Sequence, residues 1–162
     1  MKPIRVAAFG AWFFAWPVVS AAQLTYALPK GARDVEHSAL QPKVREQVAF
    51  WIQEGFPSTS AVQHYERVFA GWTPCQKDGD TDWYSFPDAR DGHQTFVHEL
   101  ARFWVSPNNG TAISLFLRYE SQREPSGGKP DNSRQVVYLV QHRSTNARKQ
   151  LSEVGVTCDK GT

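Results

Sequence analysis

Three aspartates, Asp78, Asp80 and Asp82, alternate along the chain as the first ligands of a calcium-binding EF-hand loop do. An EF-hand loop needs glycine at its sixth position and glutamate at its twelfth, where this sequence has Trp83 and Ala89. An EF-hand is therefore excluded. Because alternating Asp and Gly is ordinary turn composition, we expect a solvated acidic turn here, with a looser cation site as the alternative.

The five histidines do not form a metal-binding pattern. His93 and His98 are close in sequence, but a strand points residues five apart to opposite faces. We expect His37 and His64 to be solvated and His142 to be an ordinary side chain of a central strand. The sequence therefore predicts no metal site and no cofactor.

Motifs of known catalytic sites are absent as well. The sequence contains no GxSxG nucleophile elbow, Walker loop, dinucleotide fingerprint or HExxH zinc motif. A catalytic triad needs three groups that converge in space, and a serine without a motif does not establish one. We therefore expect a protein that is not an enzyme, and a small envelope hydrolase with an unrecognised site is the alternative.

Two strand-like runs between residues 96 and 121 flank the sequence Pro-Asn-Asn-Gly at 107–110 and predict a hairpin. A two-residue turn would pair Arg102 with Leu117 and bring charge onto the apolar face. A three-residue loop, which puts Gly110 at the left-handed position, pairs only apolar residues. Its pairs are Val105 with Ile113, Phe103 with Leu115, and Ala101 with Leu117. We therefore predict the three-residue register.

In this register the opposite face of the hairpin collects aromatic rings and guanidinium groups. Recognition surfaces over-use both, because they offer large contact area, stacking and forked hydrogen bonding. We predict a binding face on this side, with Trp51 joining it if the first strand is adjacent. Its predicted members are Trp104, Arg102, Phe116, Arg118, His98 and Trp51. The alternative is that a helix or the N-terminal arm covers this face.

The first twenty-two residues have the layout of a cleavable secretory signal peptide. Lys2 and Arg5 precede an apolar run of 14 residues at 6–19, and the small residues Ser20, Ala21 and Ala22 follow. A helix needs about 20 apolar residues to cross a bilayer, so a retained anchor is the less suitable alternative. We expect the mature chain to begin at Gln23, to be periplasmic or secreted, and not to insert into a membrane.

Cleavage would remove two of the 18 basic residues and none of the 16 acidic ones, which leaves a formally neutral chain. A neutral protein has no long-range field to steer it onto nucleic acid or an anionic membrane, so neither is an expected partner. The length and the apolar fraction predict one core. The predicted organisation is a signal peptide at 1–22, an extended N-terminal arm at 23–42 and a single domain at 43–162.

Cys75 and Cys158 are the only cysteines. An exported chain with an even number of cysteines usually pairs them, so we predict a Cys75–Cys158 disulfide. Two free thiols or a shared metal site are the alternatives. The cysteines lack a CxxC partner and a histidine at ligand spacing, which argues against the metal.

The elements around these residues follow from hydrophobic periodicity. Alternation predicts a strand at 43–53, and apolar residues on both sides predict a central strand at 135–143. A helix begins near Ser60, which forms a capping box with Gln63, and ends at a left-handed Gly71. A short strand at 82–86 and a second helix at 146–154, closed by Gly155, complete the pattern. The sequence therefore predicts an α+β fold, an antiparallel sheet of about five strands with two helices on one face.

The helix with Tyr65 and Phe69 that runs into Gly71-Trp72, with Cys75 beyond it and Cys158 near the end, resembles small, mostly uncharacterised exported proteins of Gram-negative bacteria. The resemblance implies a periplasmic α+β module. We expect a periplasmic, non-enzymatic binding or accessory protein that recognises a protein or envelope ligand. An inhibitor or immunity protein for a cell-wall enzyme, which would insert the long loop at 121–134 into its partner, is a further alternative.

Overall fold

The computed structural model describes residues 25–41, 44–77, 83–90, 93–122 and 134–158. The predicted signal peptide, the acidic turn at 78–82 and most of the predicted loop at 121–134 lie outside these ranges. The strands are β1 (Arg33–Gln41), β2 (Arg45–Gln53), β3 (Thr73–Lys77), β4 (Tyr84–Arg90), β5 (His93–Val105), β6 (Thr111–Gln122), β7 (Arg134–Arg143) and β8 (Val156–Cys158); the helices are α1 (Ser60–Val68) and α2 (Ala147–Ser152).

The eight strands of the described residues form one antiparallel sheet, in which seven follow the order β1-β2-β7-β6-β5-β3-β8 and β4 pairs with β5. The long strand β5 has two partners on one edge, since β4 pairs with residues 93–99 and β3 pairs with residues 103–105. The fold is α+β as predicted, but the sheet has eight strands rather than five. The largest omission is β1, which lies inside the predicted arm and is exposed at all nine positions, so it carries no alternation of apolar and polar residues.

One face of the sheet, the α1 face, packs against helix α1 and forms the main core. Every second residue of β2 is buried here, which confirms the predicted alternation. The helix contributes Ala61, Val62, Tyr65 and, just beyond its end, Phe69. Full burial of a side chain such as Val62 or Phe69 stabilises the fold by roughly 1.5–3 kcal/mol. The sheet residues buried on the α1 face include Val48, Phe50, Ile52, Leu100, Trp104, Ile113, Leu115, Leu117, Val137 and Leu139.

Helix α2 packs on the opposite face, so the prediction of two helices on one face is wrong. Its buried residues Ala147 and Leu151 contact a smaller core cluster that includes Phe103 and Val105. Side chains alternate along a strand, and Phe103 therefore points away from the face that carries Trp104. The predicted disulfide is confirmed within this cluster, where Cys75 and Cys158 are direct cross-strand partners.

The predicted hairpin register is wrong by one residue. The structure pairs Trp104 with Ile113 and Phe103 with Ser114, which corresponds to a loop of four residues at 107–110. Asn109, and not Gly110, adopts the left-handed backbone conformation, with φ of 55°. The prediction required one apolar face, whereas both Phe103 and Trp104 are buried, on opposite faces of β5. Apolar segregation therefore does not determine the register here.

The ends of α1 also differ from the prediction. The residue at its N-cap is Thr59, which makes no side-chain capping bond, and the hydroxyl of Ser60 donates instead to the carboxylate of Glu54. Gly71 is not among the glycines with positive φ. Gly155, in contrast, follows α2 with φ of 79°, as predicted for the end of that helix.

Candidate functional site

The six predicted binding residues are divided between the two faces of the sheet. Trp104, Arg102 and His98 lie on the α1 face, opposite Ile113, Leu115 and Tyr119 of β6. The remaining three, Phe116, Arg118 and Trp51, lie on the other face. The one-residue error in register is the cause, because it exchanges the faces of β5 relative to β6.

Trp104 belongs to the core on the α1 face. This side chain is only 4% exposed, and its ring packs 5.3 Å from the ring of Phe69. Tyr26, from the segment before β1, adds an edge-to-face contact with Phe69 at 4.9 Å. A helix and the N-terminal arm therefore cover this face. The sequence predicts such coverage as the alternative to an open binding face.

The opposite face, here called the open face, carries aromatic residues in two rows across the sheet. Register pairs Trp51 with Val136 and Val136 with Arg118 in one row. The next row pairs Tyr138 with Phe116. Phe116 is 37% exposed, whereas Leu117 beside it on the α1 face is fully buried. Helix α2 covers only the end of this face near Val105 and Ala112, so among the described residues the two aromatic rows have no second layer above them.

The first row is held by charged contacts. The guanidinium groups of Arg33 and Arg134 lie 5.4 Å and 4.5 Å from the centre of the Trp51 ring, and the indole N–H donates to the carboxylate of Asp34. Further along, Arg118 donates from Nη1 to Glu99 at 3.1 Å. These arginines are therefore already engaged, and they fix the shape of this part of the open face.

A groove runs from the second aromatic row toward α2. It consists of two adjoining cavities of about 460 Å³ each, which share Lys77, Phe103 and Phe116. One lies beside Tyr84 and Phe86 of β4, and the other lies between the sheet and the α2–β8 segment. Volumes of this size are typical of small-molecule sites. We call the two together the groove.

Polar groups stand around the half of the groove beside α2. Its lining includes Arg45, His142, Gln150 and Glu153 as well as Lys77. His142 Nε2 lies 2.9 Å from Gln150 Nε2, which makes the ring nitrogen the acceptor. Burial and, to a smaller extent, the positive charge of Arg45 lower the pKa of His142 below its usual value of 6.5. The imidazole is therefore neutral at neutral pH, and the cations here are Arg45 and Lys77.

A hydroxyl–imidazole contact occurs at the other end of β5. Ser85 Oγ lies 2.6 Å from His98 Nδ1, and the ring of Phe56 stacks on the imidazole at 4.3 Å. A serine held by a histidine is the starting point of nucleophilic catalysis. In a catalytic triad, however, a carboxylate orients Nδ1 while Nε2 faces the serine, and here Nδ1 is taken by Ser85.

Within the described residues, no group of three or more histidines, cysteines or acidic residues is arranged to hold a metal ion. The acidic turn with Asp78, Asp80 and Asp82 lies outside those residues. No helix in the described part of the chain is long and apolar enough to cross a membrane.

The groove was not predicted from the sequence. The sequence does contain one indication of it in β7, where Val136, Tyr138 and Val140 make the side of the strand that faces the groove apolar. The rest depends on residues distant in sequence, because Lys77, Phe116 and Val156 meet only in the folded sheet.

No protein-family model matches the sequence, and no curated protein matches it significantly.

Proposed function

We propose that the protein is a non-enzymatic binding or accessory protein of the cell envelope, and that it recognises its ligand through the open face and the groove. One observation carries this proposal: Phe116 and Tyr138 stand side by side on a sheet face that α2 covers only at its end. Antiparallel sheets often leave one face to water, but that face is then normally polar. Aromatic residues clustered on such a face are typical of binding surfaces.

Two observations support a location outside the cytoplasm. The Cys75–Cys158 disulfide is typical of oxidising compartments. The N-terminal sequence has the layout of a secretory signal. Together they favour the periplasm or the extracellular space as the place where the ligand is met.

Site-specific photocrosslinking tests the binding surface. A photoreactive phenylalanine analogue replaces Tyr138 on the open face and, as a matched control, the exposed Gln63 of α1, in cells that produce the protein. We expect a defined adduct from position 138 and none from position 63. Adducts of equal yield at both positions, or none at position 138, would contradict the proposal.

The hydrolase alternative has one observation in its favour, the contact between Ser85 and His98. Esterase activity with p-nitrophenyl acetate tests it. The alternative requires activity that Ser85→Ala and His98→Ala abolish while the control Ser152→Ala retains it. We expect no activity that depends on Ser85.

The inhibitor alternative depends on the segment at 121–134, most of which lies outside the described residues. Shortening that segment separates the two ideas. We expect the adduct at position 138 to persist in the shortened chain, whereas an inhibitor that inserts this loop would lose its partner.

A further inference from the structure

We propose that the groove binds a single acyl chain that ends in a carboxylate, as in a free fatty acid. This inference rests on the proposed binding function and names the chemistry of its ligand. It follows from three features of the groove: a mainly apolar floor, backbone groups on that floor that are already paired within the sheet, and cations at its margin.

The floor and one wall of the groove are mainly apolar. Phe103, Phe116 and Val140 form the floor from three neighbouring strands, and Val154 and Val156 form the wall from the α2–β8 segment. Val154 is 64% exposed although it is a large apolar side chain. A hydrocarbon chain in the groove would bury such surface, and the gain is proportional to the apolar area removed from water.

The same floor is poorly suited to an extended peptide. It is made by the face of the sheet, whose backbone groups are already paired across β5, β6 and β7 through Phe103, Ser114 and Val140. The amide groups of a peptide placed there would lose water without gaining backbone partners, which is unfavourable. An acyl chain carries no such groups. The floor therefore favours an acyl chain over a peptide.

The charges at the margin select an anionic head group. Arg45 and Lys77 both line the groove, and neither makes an ion pair with a described residue. Two carboxylates line the groove, and one of them, Glu99, is paired with Arg118. Once this pair is set aside, the lining has one negative charge, on Glu153, and two positive charges. A carboxylate accepts strong, charge-assisted hydrogen bonds from such groups.

Equilibrium dialysis of the purified, disulfide-bonded protein with radiolabelled dodecanoate tests the proposal. Dodecanol has the same chain without the charge and serves as the ligand control. We expect one dodecanoate per chain, and binding of dodecanol that is weaker by about tenfold or more, because charge-assisted hydrogen bonds are roughly twice as strong as neutral ones.

Variants locate the site. Arg45→Glu and Lys77→Glu each reverse the sign of one charge at the margin of the groove. Both residues are exposed, so the fold should tolerate the changes. Three strands separate β2, which carries Arg45, from β3, which carries Lys77, so one carboxylate contacts one of these cations. We expect the double variant to weaken dodecanoate binding at least tenfold, and the single variant with the larger loss to identify the cation that binds the carboxylate. Arg67→Glu, on the exposed side of α1, is the matched control and should bind as the wild type does. Circular dichroism and thermal unfolding verify that every variant is folded.

Three results would overturn the proposal: no dodecanoate binding, equal binding of dodecanol, or unchanged binding by the double variant. Failure of the ligand class is distinguishable from failure of the proposed function. A defined adduct at position 138 without dodecanoate binding keeps the binding surface and rejects the acyl chain, and an adduct that contains a polypeptide identifies a protein ligand instead. Absence of both adduct and dodecanoate binding rejects both.

Discussion

Asn109, in the β5–β6 turn, holds Asn146 at the start of α2. Its side-chain amide donates to Asn146 Oδ1 at 3.0 Å, and the same oxygen accepts from the backbone N–H of Lys149 at 3.0 Å. Asn109 Oδ1 accepts in turn from the backbone N–H of Arg148 at 2.9 Å. The turn therefore caps the helix that forms one wall of the groove.

Two substitutions of Asn109 separate the stability due to its side-chain hydrogen bonds from the cost of its left-handed backbone conformation. Asn109→Ala removes the side-chain bonds to Asn146 and Arg148 and forces a side chain that disfavours positive φ into φ of 55°. We expect a loss of about 1–3 kcal/mol in the free energy of unfolding, measured with urea. Asn109→Gly removes the same hydrogen bonds but adopts positive φ freely, so it should cost less. A glycine variant that is less stable than the alanine variant would contradict this explanation.

Truncations on the two sides of the sheet should differ in cost. Trp104→Ala empties a buried site against Phe69 and should lower the free energy of unfolding by about 3–5 kcal/mol, and Leu115→Ala by about 2–5 kcal/mol. Phe116→Ala should cost clearly less, because Phe116 is 37% exposed. Chemical denaturation of the three variants makes the comparison. Equal costs for Trp104 and Phe116 would mean that the open face is covered.

Removing the disulfide should destabilise the protein strongly. Cys75 and Cys158 are separated by 83 positions, and the chain-entropy estimate for a loop of that length is about 4 kcal/mol as an upper figure. The double variant Cys75→Ala, Cys158→Ala measures this effect without leaving free thiols. Its unfolding midpoint should agree with that of the reduced wild type. A midpoint equal to that of the oxidised wild type would show that the cross-link does not contribute to stability.

Stability should fall in mild acid because of His142. Its pKa is lowered in the folded state, first by burial and then by Arg45, so the unfolded chain binds the proton more readily. The contribution is complete above the unfolded pKa of about 6.5 and is lost as the pH falls toward the folded pKa. Urea midpoints at pH 7.5 and at pH 5.5 measure the change. His142→Asn should show a smaller decrease than the wild type, and an equal decrease would assign the effect to other groups.

The elements that could be predicted are those with one buried side or a clear periodicity. Strand β2, with alternate burial, and helix α1, with Val62 and Tyr65 at helical spacing, are both present where the pattern places them. The register of β5 and β6 could not be obtained in this way. Because Phe103 and Trp104 are both buried, shifting the pairing by one residue still gives an apolar face, and the hydrogen bonds of the turn decide between the alternatives.

The candidate site could be predicted only in part, for a related reason. Of the six residues assigned to the predicted face, Phe116, Arg118 and Trp51 do lie on one side of the sheet. The register error assigned Trp104 to the same face, although it belongs to the core. The groove could not be inferred, because its wall forms only when β8 returns to pair with β3.

The position of β7 in the sheet has a consequence for the order in which the chain can fold. Among the strands of the described residues, this strand, formed by residues 134–143, connects the β1–β2 pair to β6. The β1–β2 hairpin therefore cannot join the rest of the sheet before residue 143 is available, and its partner lies about ninety positions away in sequence. Such distant pairings make folding slow, in the range of milliseconds to seconds for β-rich domains. Truncation before β7 should accordingly leave β2 without a partner on its inner edge, with its buried face exposed to water.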